Sequence, residues 1–221
     1  MQMHPVPFDD LAADPNPPLD VFALALAAEF GEVGWRQAGE RLDRLGREVA
    51  DALSDAPRAP DREAAALRVV LGERHGFTGD TTDYGNPRNS MLDSVLERRM
   101  GLPITLSIVW VAVAQRAGFR LDGVGLPGHY VVGHFGADPP LLIDPFAGGA
   151  VVVAEAPPAF VRPWTPHETV LRMLNNVVRS YTERGDLSRA LHAANMRLPL
   201  THGPARDEYA ADLQRLRARL N

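Results

Sequence analysis

The chain has 221 residues, 45% of them hydrophobic and 7% aromatic, enough to bury a sizeable core in one domain with an appendage. Its formal net charge is -5, and its 23 basic residues are all arginine, interleaved with Asp and Glu in stretches such as RLDRLGREVAD, so no basic stripe of the kind that a nucleic-acid backbone selects is present. There is no cysteine, which excludes disulfides, thiolate metal sites and a thiol nucleophile from this chain.

Residues 1–18 hold five prolines and little apolar periodicity, and are expected to form an extended or mobile arm that can lie against the body. The opening MQMHPVPFDDLAADPNPPLD has neither the basic start nor the apolar stretch of a secretory signal, so a cytoplasmic location is expected. From Leu19 to Leu53 apolar residues recur at helical spacing, divided by Gly31 and Gly34 into VFALALAAEF and WRQAGERLDRLGREVADAL. SDAPRAPD reads as a loop, and an amphipathic helix follows at Glu63–Arg74, with Leu67, Val70 and Leu71 on its apolar face. GFTGDTTDYGNPRN is again loop, placed to line whatever follows it. Ser90 and Asp93 form a Ser-x-x-Asp capping pattern that predicts a helix to about Arg99.

The stretch GLPITLSIVWVAVAQRAG is almost wholly apolar, with Pro103 near its first turn, where a missing N–H costs nothing. Its most apolar run, residues 102–114, contains Thr105 and Ser107 and falls short of the roughly 18 uninterrupted apolar residues that a membrane span needs, so it predicts a buried core helix and no membrane partner. From Arg120 the pattern changes to strands: FRLDGVGL, GHYVVGHF, PLLIDPF and AVVVAE, close enough together to favour an antiparallel meander. Thr165 and Glu168 form a second capping box, opening a helix to about Arg184; Gly185-Asp186 turns the chain into LSRALHAANMRL, and a last helix is predicted over Asp207–Leu220. The domain boundaries that result are an arm at 1–18, a mixed α+β body at 19–160 and a helical segment at 161–221.

His129 and Asp144 lie nearly symmetrically about a turn in GADPP, which brings them within one to three positions of cross-strand pairing. A carboxylate there can fix the tautomer and direction of an imidazole, as a general base requires. The same residues also fit plain turn roles, since Asp before Pro commonly starts turns. His134 points to the opposite sheet face by the period of two, which disfavours a metal site made with His129. No phosphate loop, dinucleotide fingerprint or metal-ligand spacing is present, so no cofactor is expected.

The run YGNPRNSMLDSVLERRMGLPITLSIVWVAVAQRAGF, followed by GVGLPGHYVV and LLIDPFAGG, resembles the transglutaminase-like core of the bacterial SirB family, and VLRMLNNVVRSYTERGDLSRALHAANMRLPL is similar to the tetratricopeptide-like helices that follow it there. The resemblance implies a papain-like fold, with a central helix packed on an antiparallel sheet and a Cys, His, Asp triad whose nucleophile stands at the first turn of that helix. His129 and Asp144 match the His and Asp positions, whereas Pro103, Ile104 and Thr105 stand where Cys is expected, with Ser107 further along.

A hydroxyl is far less acidic than a thiol and needs concerted proton removal and an oxyanion site to act. Thr near a helix start and Ser within a buried helix also have structural roles, capping and bonding to the preceding turn. Three readings follow. A cleft kept for binding a peptide or protein is favoured; the alternatives are an amide or ester hydrolase or acyltransferase using Thr105 or Ser107 with His129 and Asp144, and a scaffold that works through its C-terminal helices. Asn89, Pro103 and Ile104 are the candidate cleft-lining residues.

Overall fold

The computed structural model describes residues 3–53, 57–153 and 157–219. Its helices are α1 (Phe8–Ala13), α2 (Leu19–Ala28), α3 (Trp35–Ala52), α4 (Pro60–Leu67), α5 (Leu92–Arg98), α6 (Pro103–Arg116), α7 (Pro166–Glu183), α8 (Leu187–Met196) and α9 (Gly203–Ala218). The strands are β1 (Thr78–Gly79), β2 (Met100–Gly101), β3 (Asp122–Leu126), β4 (His129–His134), β5 (Leu141–Asp144) and β6 (Ala150–Val152). This is an α+β architecture, and no helix among the described residues is long and apolar enough to cross a membrane.

Helix α6 is the axis of the molecule. It is apolar on nearly every side, which suits a helix only when neighbours cover it all round; here α2, α3, α5 and α7 pack on it from one side and β3 and β4 from the other. Ile104, Leu106, Ile108, Val109, Trp110, Val113 and Ala114 are all essentially inaccessible. The approach of α3 is so close that a Cβ added to Gly46 would lie 2.4 Å from the Cβ of Arg116. Arg116 then closes the C-terminal end of α6 by donating to Asp43 at 2.7 Å and Asp20 at 2.8 Å, tying it to α3 and α2.

Strands β3, β4, β5 and β6 pair in that order as an antiparallel meander, with Gly123 opposite Val132, Val132 opposite Ile143 and Ile143 opposite Val151. β1 and β2 form a separate parallel pair of two residues each. The tight connection from β3 to β4 is Pro127-Gly128, and Gly128 sits at φ +73°, a left-handed conformation that favours glycine. That turn sets where His129 begins its strand.

The capping box at Thr165 and Glu168 is formed, and the Asp186 side chain accepts from the Arg189 N–H to open α8. Four local expectations are corrected. The N-terminal arm is helical over Phe8–Ala13 rather than extended, because Phe8 and Leu11 are buried one turn apart. Ser90 does not cap α5: the Asn86 side chain accepts from the Arg88 N–H and starts a short 3-10 turn, Pro87–Ser90, leaving Ser90 buried at its end, and α5 starts after Met91 with no side-chain cap. The last helix begins at Gly203, four residues early, with Pro204 in its first turn. The helix predicted over Glu63–Arg74 starts at Pro60 and winds into a wider π turn over Arg68–Arg74. Parts of the loop SDAPRAPD, residues 54–56, and the end of the AVVVAE strand, residues 154 and 155, lie outside the described residues.

Candidate functional site

In the β4–β5 ladder, Val132 faces Ile143, so Asp144 falls opposite Val131 and one diagonal step from His129, on the same face. The side chains meet there: His129 Nε2 and Asp144 Oδ2 are 2.9 Å apart. Asp144 is held from its other oxygen as well, Oδ1 accepting from the Phe146 N–H at 2.9 Å, so the carboxylate caps the turn after β5 while it orients the ring. A carboxylate only accepts, so Nε2 carries the proton and Nδ1 is the acceptor of the neutral imidazole. Phe146 meets the His129 ring edge-on, with centroids 6.4 Å apart.

The imidazole opens on a small cavity of about 170 Å³ lined by Tyr84, Pro103, Ile104, Gly128, His129, Tyr130, Arg172, Asn176 and Arg179. The start of α6 thus faces the His–Asp pair, as expected, and contributes Pro103 and Ile104. Thr105 and Ser107 do not line the cavity. Both are fully buried and their hydroxyls have no hydrogen-bond partner among the described residues, so neither performs the capping or back-bonding expected of it; Leu102, at the helix start, has no side chain able to cap.

Asn89 is also off the cavity wall. It is inaccessible, its amide donates to the Asp83 carbonyl at 2.8 Å, and its oxygen accepts from Arg98 at 2.8 Å. Arg98 continues to Asp80 at 3.0 Å, and Asp80 accepts from the Asp83 N–H and from the Thr82 N–H and hydroxyl. These bonds, the Asp83 backbone N–H first among them, hold the Asp80 carboxyl down to about 2 against the opposing effect of burial. The network fixes the loop that presents Tyr84 at the cavity mouth, where its ring packs edge-on against Phe146.

The opposite wall comes from α7, which sequence reasoning assigned to helical packing alone. Arg172, Asn176 and Arg179 stand at i, i+4 and i+7, one face of the helix. Arg172 is half-buried, lies 5.6 Å from the ring centroids of both Tyr130 and Trp164, and donates to the carbonyls of Leu126 and His129 at 3.2 and 2.9 Å. It clamps the turn that carries His129. Removal from water lowers its pKa. Tyr130 is bonded to Thr169 at 2.8 Å; burial pushes its phenol well up, so it stays neutral and joins β4 to α7. The RMLNNVVR spacing was the available signal, but a polar i, i+4, i+7 stripe on a surface helix is ordinary until the fold shows what it faces.

Residues 36–176 match the family model described as the transglutaminase-like superfamily, which is well over half of the chain. The chain belongs to that superfamily. Its transglutaminase-like region therefore runs from α3 through the sheet into α7, with Arg172 and Asn176 inside the match and Arg179 three residues beyond it. The chain is similar to a UPF0162 protein from Xylella fastidiosa, 36% identical over 154 residues, covering 62% of this chain and 55% of that one. A UPF0162 protein from Pseudomonas aeruginosa is 30% identical over 217 residues, 91% of this chain and 78% of that one. A shorter similarity, 34% over 67 residues, links 30% of the chain to 11% of the human F-box only protein 21. The chain spans about half the length of the Xylella relative. No solved structure matches it.

Proposed function

We propose that this chain uses the transglutaminase-like cleft to bind a peptide segment of another protein, without forming a covalent intermediate. The observation that carries this reading is the composition of the cavity wall. Where the helix start faces His129 and Asp144, the lining residues are Pro103 and Ile104, whose side chains carry no nucleophilic atom. A general base with no acid to deprotonate retains its other capacity, which is to hydrogen-bond a ligand from a fixed direction.

The alternative is an amide or ester hydrolase or acyltransferase that uses Thr105 or Ser107, and the observation in its favour is that both hydroxyls are unpartnered beside an intact His–Asp pair. Full burial speaks against it, because an attacking oxygen must reach the substrate carbonyl and an oxyanion site together. Incubation with a fluorophosphonate probe separates the two. No labelling at Thr105 or Ser107, together with peptide binding that is lost in His129→Ala, is expected; an adduct on either hydroxyl that disappears in His129→Ala overturns the binding reading. On this view the helices α7, α8 and α9 act as a tetratricopeptide-like appendage of the SirB type whose first helix also forms the cleft wall.

A further inference from the structure

We propose that the cavity beside His129 is a carboxylate pocket, so that the peptide it takes is recognised through an acidic side chain or a free C-terminus. This rests on the binding reading above and narrows it to a ligand chemistry. The whole chain is acidic, yet among the described residues no Asp or Glu lines this cavity, while His129, Arg172, Asn176 and Arg179 do. The local balance is thus the reverse of the global one, which is the arrangement that selects an anion.

Among the described residues neither arginine has a counter-charge of its own. Arg172 is withdrawn from water, bonded to two carbonyls and set against two aromatic rings, with no carboxylate bonded to it among the described residues. Two of its five N–H donors are thereby accounted for, and a half-buried guanidinium without an anionic partner is costly unless something else supplies one. Arg179 stacks over Tyr84 at 6.0 Å and forms no ion pair among the described residues. The acids within helical reach are elsewhere. Glu168, four residues before Arg172, is bonded to Arg162 and to the Thr165 N–H, while Asp83, next to Tyr84, is paired with Arg184. The Asn176 amide has no side-chain hydrogen bond to the described residues and completes a donor set of one amide and two guanidiniums, while His129 Nδ1 is left to accept from an N–H of the peptide that carries the carboxylate.

Size argues for a single group rather than a whole small molecule. At about 170 Å³ the cavity is well below the roughly 300–1,000 Å³ of ligand and cofactor sites, so it accommodates one side chain or chain end while the rest of the ligand lies outside. Tyr84, 43% exposed at the mouth, offers an aromatic surface to that remainder. Planar guanidiniums match a carboxylate in two-point fashion better than any neutral group.

The test is calorimetric titration of the protein with three blocked pentapeptides: acetyl-Ala-Ala-Glu-Ala-Ala-amide, acetyl-pentaalanine with a free C-terminus, and acetyl-pentaalanine amide. At least one of the two carboxylate peptides is expected to bind tenfold or more tightly than the neutral amide, with that advantage lost in Arg179→Gln, and which of the two binds names the source of the carboxylate. Arg179 is exposed, so its substitution leaves the fold intact, and Arg172→Gln serves as a second variant where it folds. Equal binding of all three peptides overturns the carboxylate pocket and leaves the peptide-binding reading standing. If no peptide binds, titration with N-acetylglutamate amide decides, read by the His129 ring resonances. A perturbation that Arg179→Gln abolishes upholds the pocket and overturns only the peptide reading; no perturbation overturns the pocket.

Discussion

Strand β4 carries a histidine at each end, and each is bonded to a carboxylate: His129 to Asp144 at 2.9 Å, His134 to Glu63 at 2.7 Å. As atom pairs the two are nearly the same. Their surroundings differ in every other respect. The His129 side chain is 35% exposed and opens on a cavity walled by arginines, whereas that of His134 is 10% exposed, parallel to the Phe119 ring, with Arg58 reaching the second oxygen of Glu63 at 3.3 Å. The Gly136 N–H donates to His134 Nδ1, so both nitrogens of that ring are used within the fold. An imidazole with both nitrogens satisfied by the protein is a structural strut. One with a nitrogen left over and a space in front of it is equipped to meet a ligand.

The largest expected effect breaks the strut. Glu63→Ala leaves the buried His134 imidazole without its partner, whereas the half-exposed Arg58 turns to water, and a loss of about 3 kcal/mol in unfolding free energy is expected by urea denaturation. Peptide affinity at the other end of β4 should stay within twofold of the parent chain. A cost below about 1 kcal/mol would mean that the sealed pair contributes no more than a surface contact.

The contrast between the two histidines was only half legible in the residues. Period-two alternation places His129 and His134 on opposite faces, and the symmetric spacing about GADPP brings Asp144 to His129, because both follow from strand geometry alone. The core helix was legible too, since an apolar run with Thr and Ser inside it has nowhere else to go. Glu63 as the partner of His134 was not, because the contact joins residues 71 apart and depends on how α4 docks against the sheet. Arg172, Asn176 and Arg179 were missed for the same reason: α7 presents several polar positions, and only packing against β4 decides which of them face the imidazole. Asn89, read as a possible wall of the cleft, instead supports the wall from behind.

That support offers a second, smaller perturbation on the side of His129. The Asp80 carboxyl is held to about 2 in the folded chain against about 3.9 in an unfolded one. Because the folded value is the lower, the group stabilises the fold above the unfolded value and the contribution disappears as pH falls from about 4 toward 2. It amounts to about 2 kcal/mol at neutral pH. Asp80→Asn should remove that acid-dependent slope from urea midpoints measured between pH 5 and 2. It should also weaken peptide binding several-fold through the Tyr84 loop, while the His134 end of the strand is unaffected. Unchanged pH dependence in the variant would show that the network does not depend on the charge of Asp80.

The smallest stability change is expected at the residue on which the functional reading turns. Truncating His129 to Ala removes one hydrogen bond to a carboxylate that the Phe146 N–H continues to hold. The backbone carbonyl of His129, which Arg172 grips, and the pairing of His129 with Leu126 are untouched by the substitution. A partly exposed pair of this kind contributes no more than about 1 kcal/mol. The unfolding midpoint of His129→Ala should therefore move little while binding of the carboxylate peptide falls tenfold or more, the inverse of the Glu63→Ala result. If His129→Ala instead destabilises the chain as much as Glu63→Ala does and leaves binding intact, both ends of β4 are struts, and the cavity between the Pro103 turn and α7 has no claim to be the site.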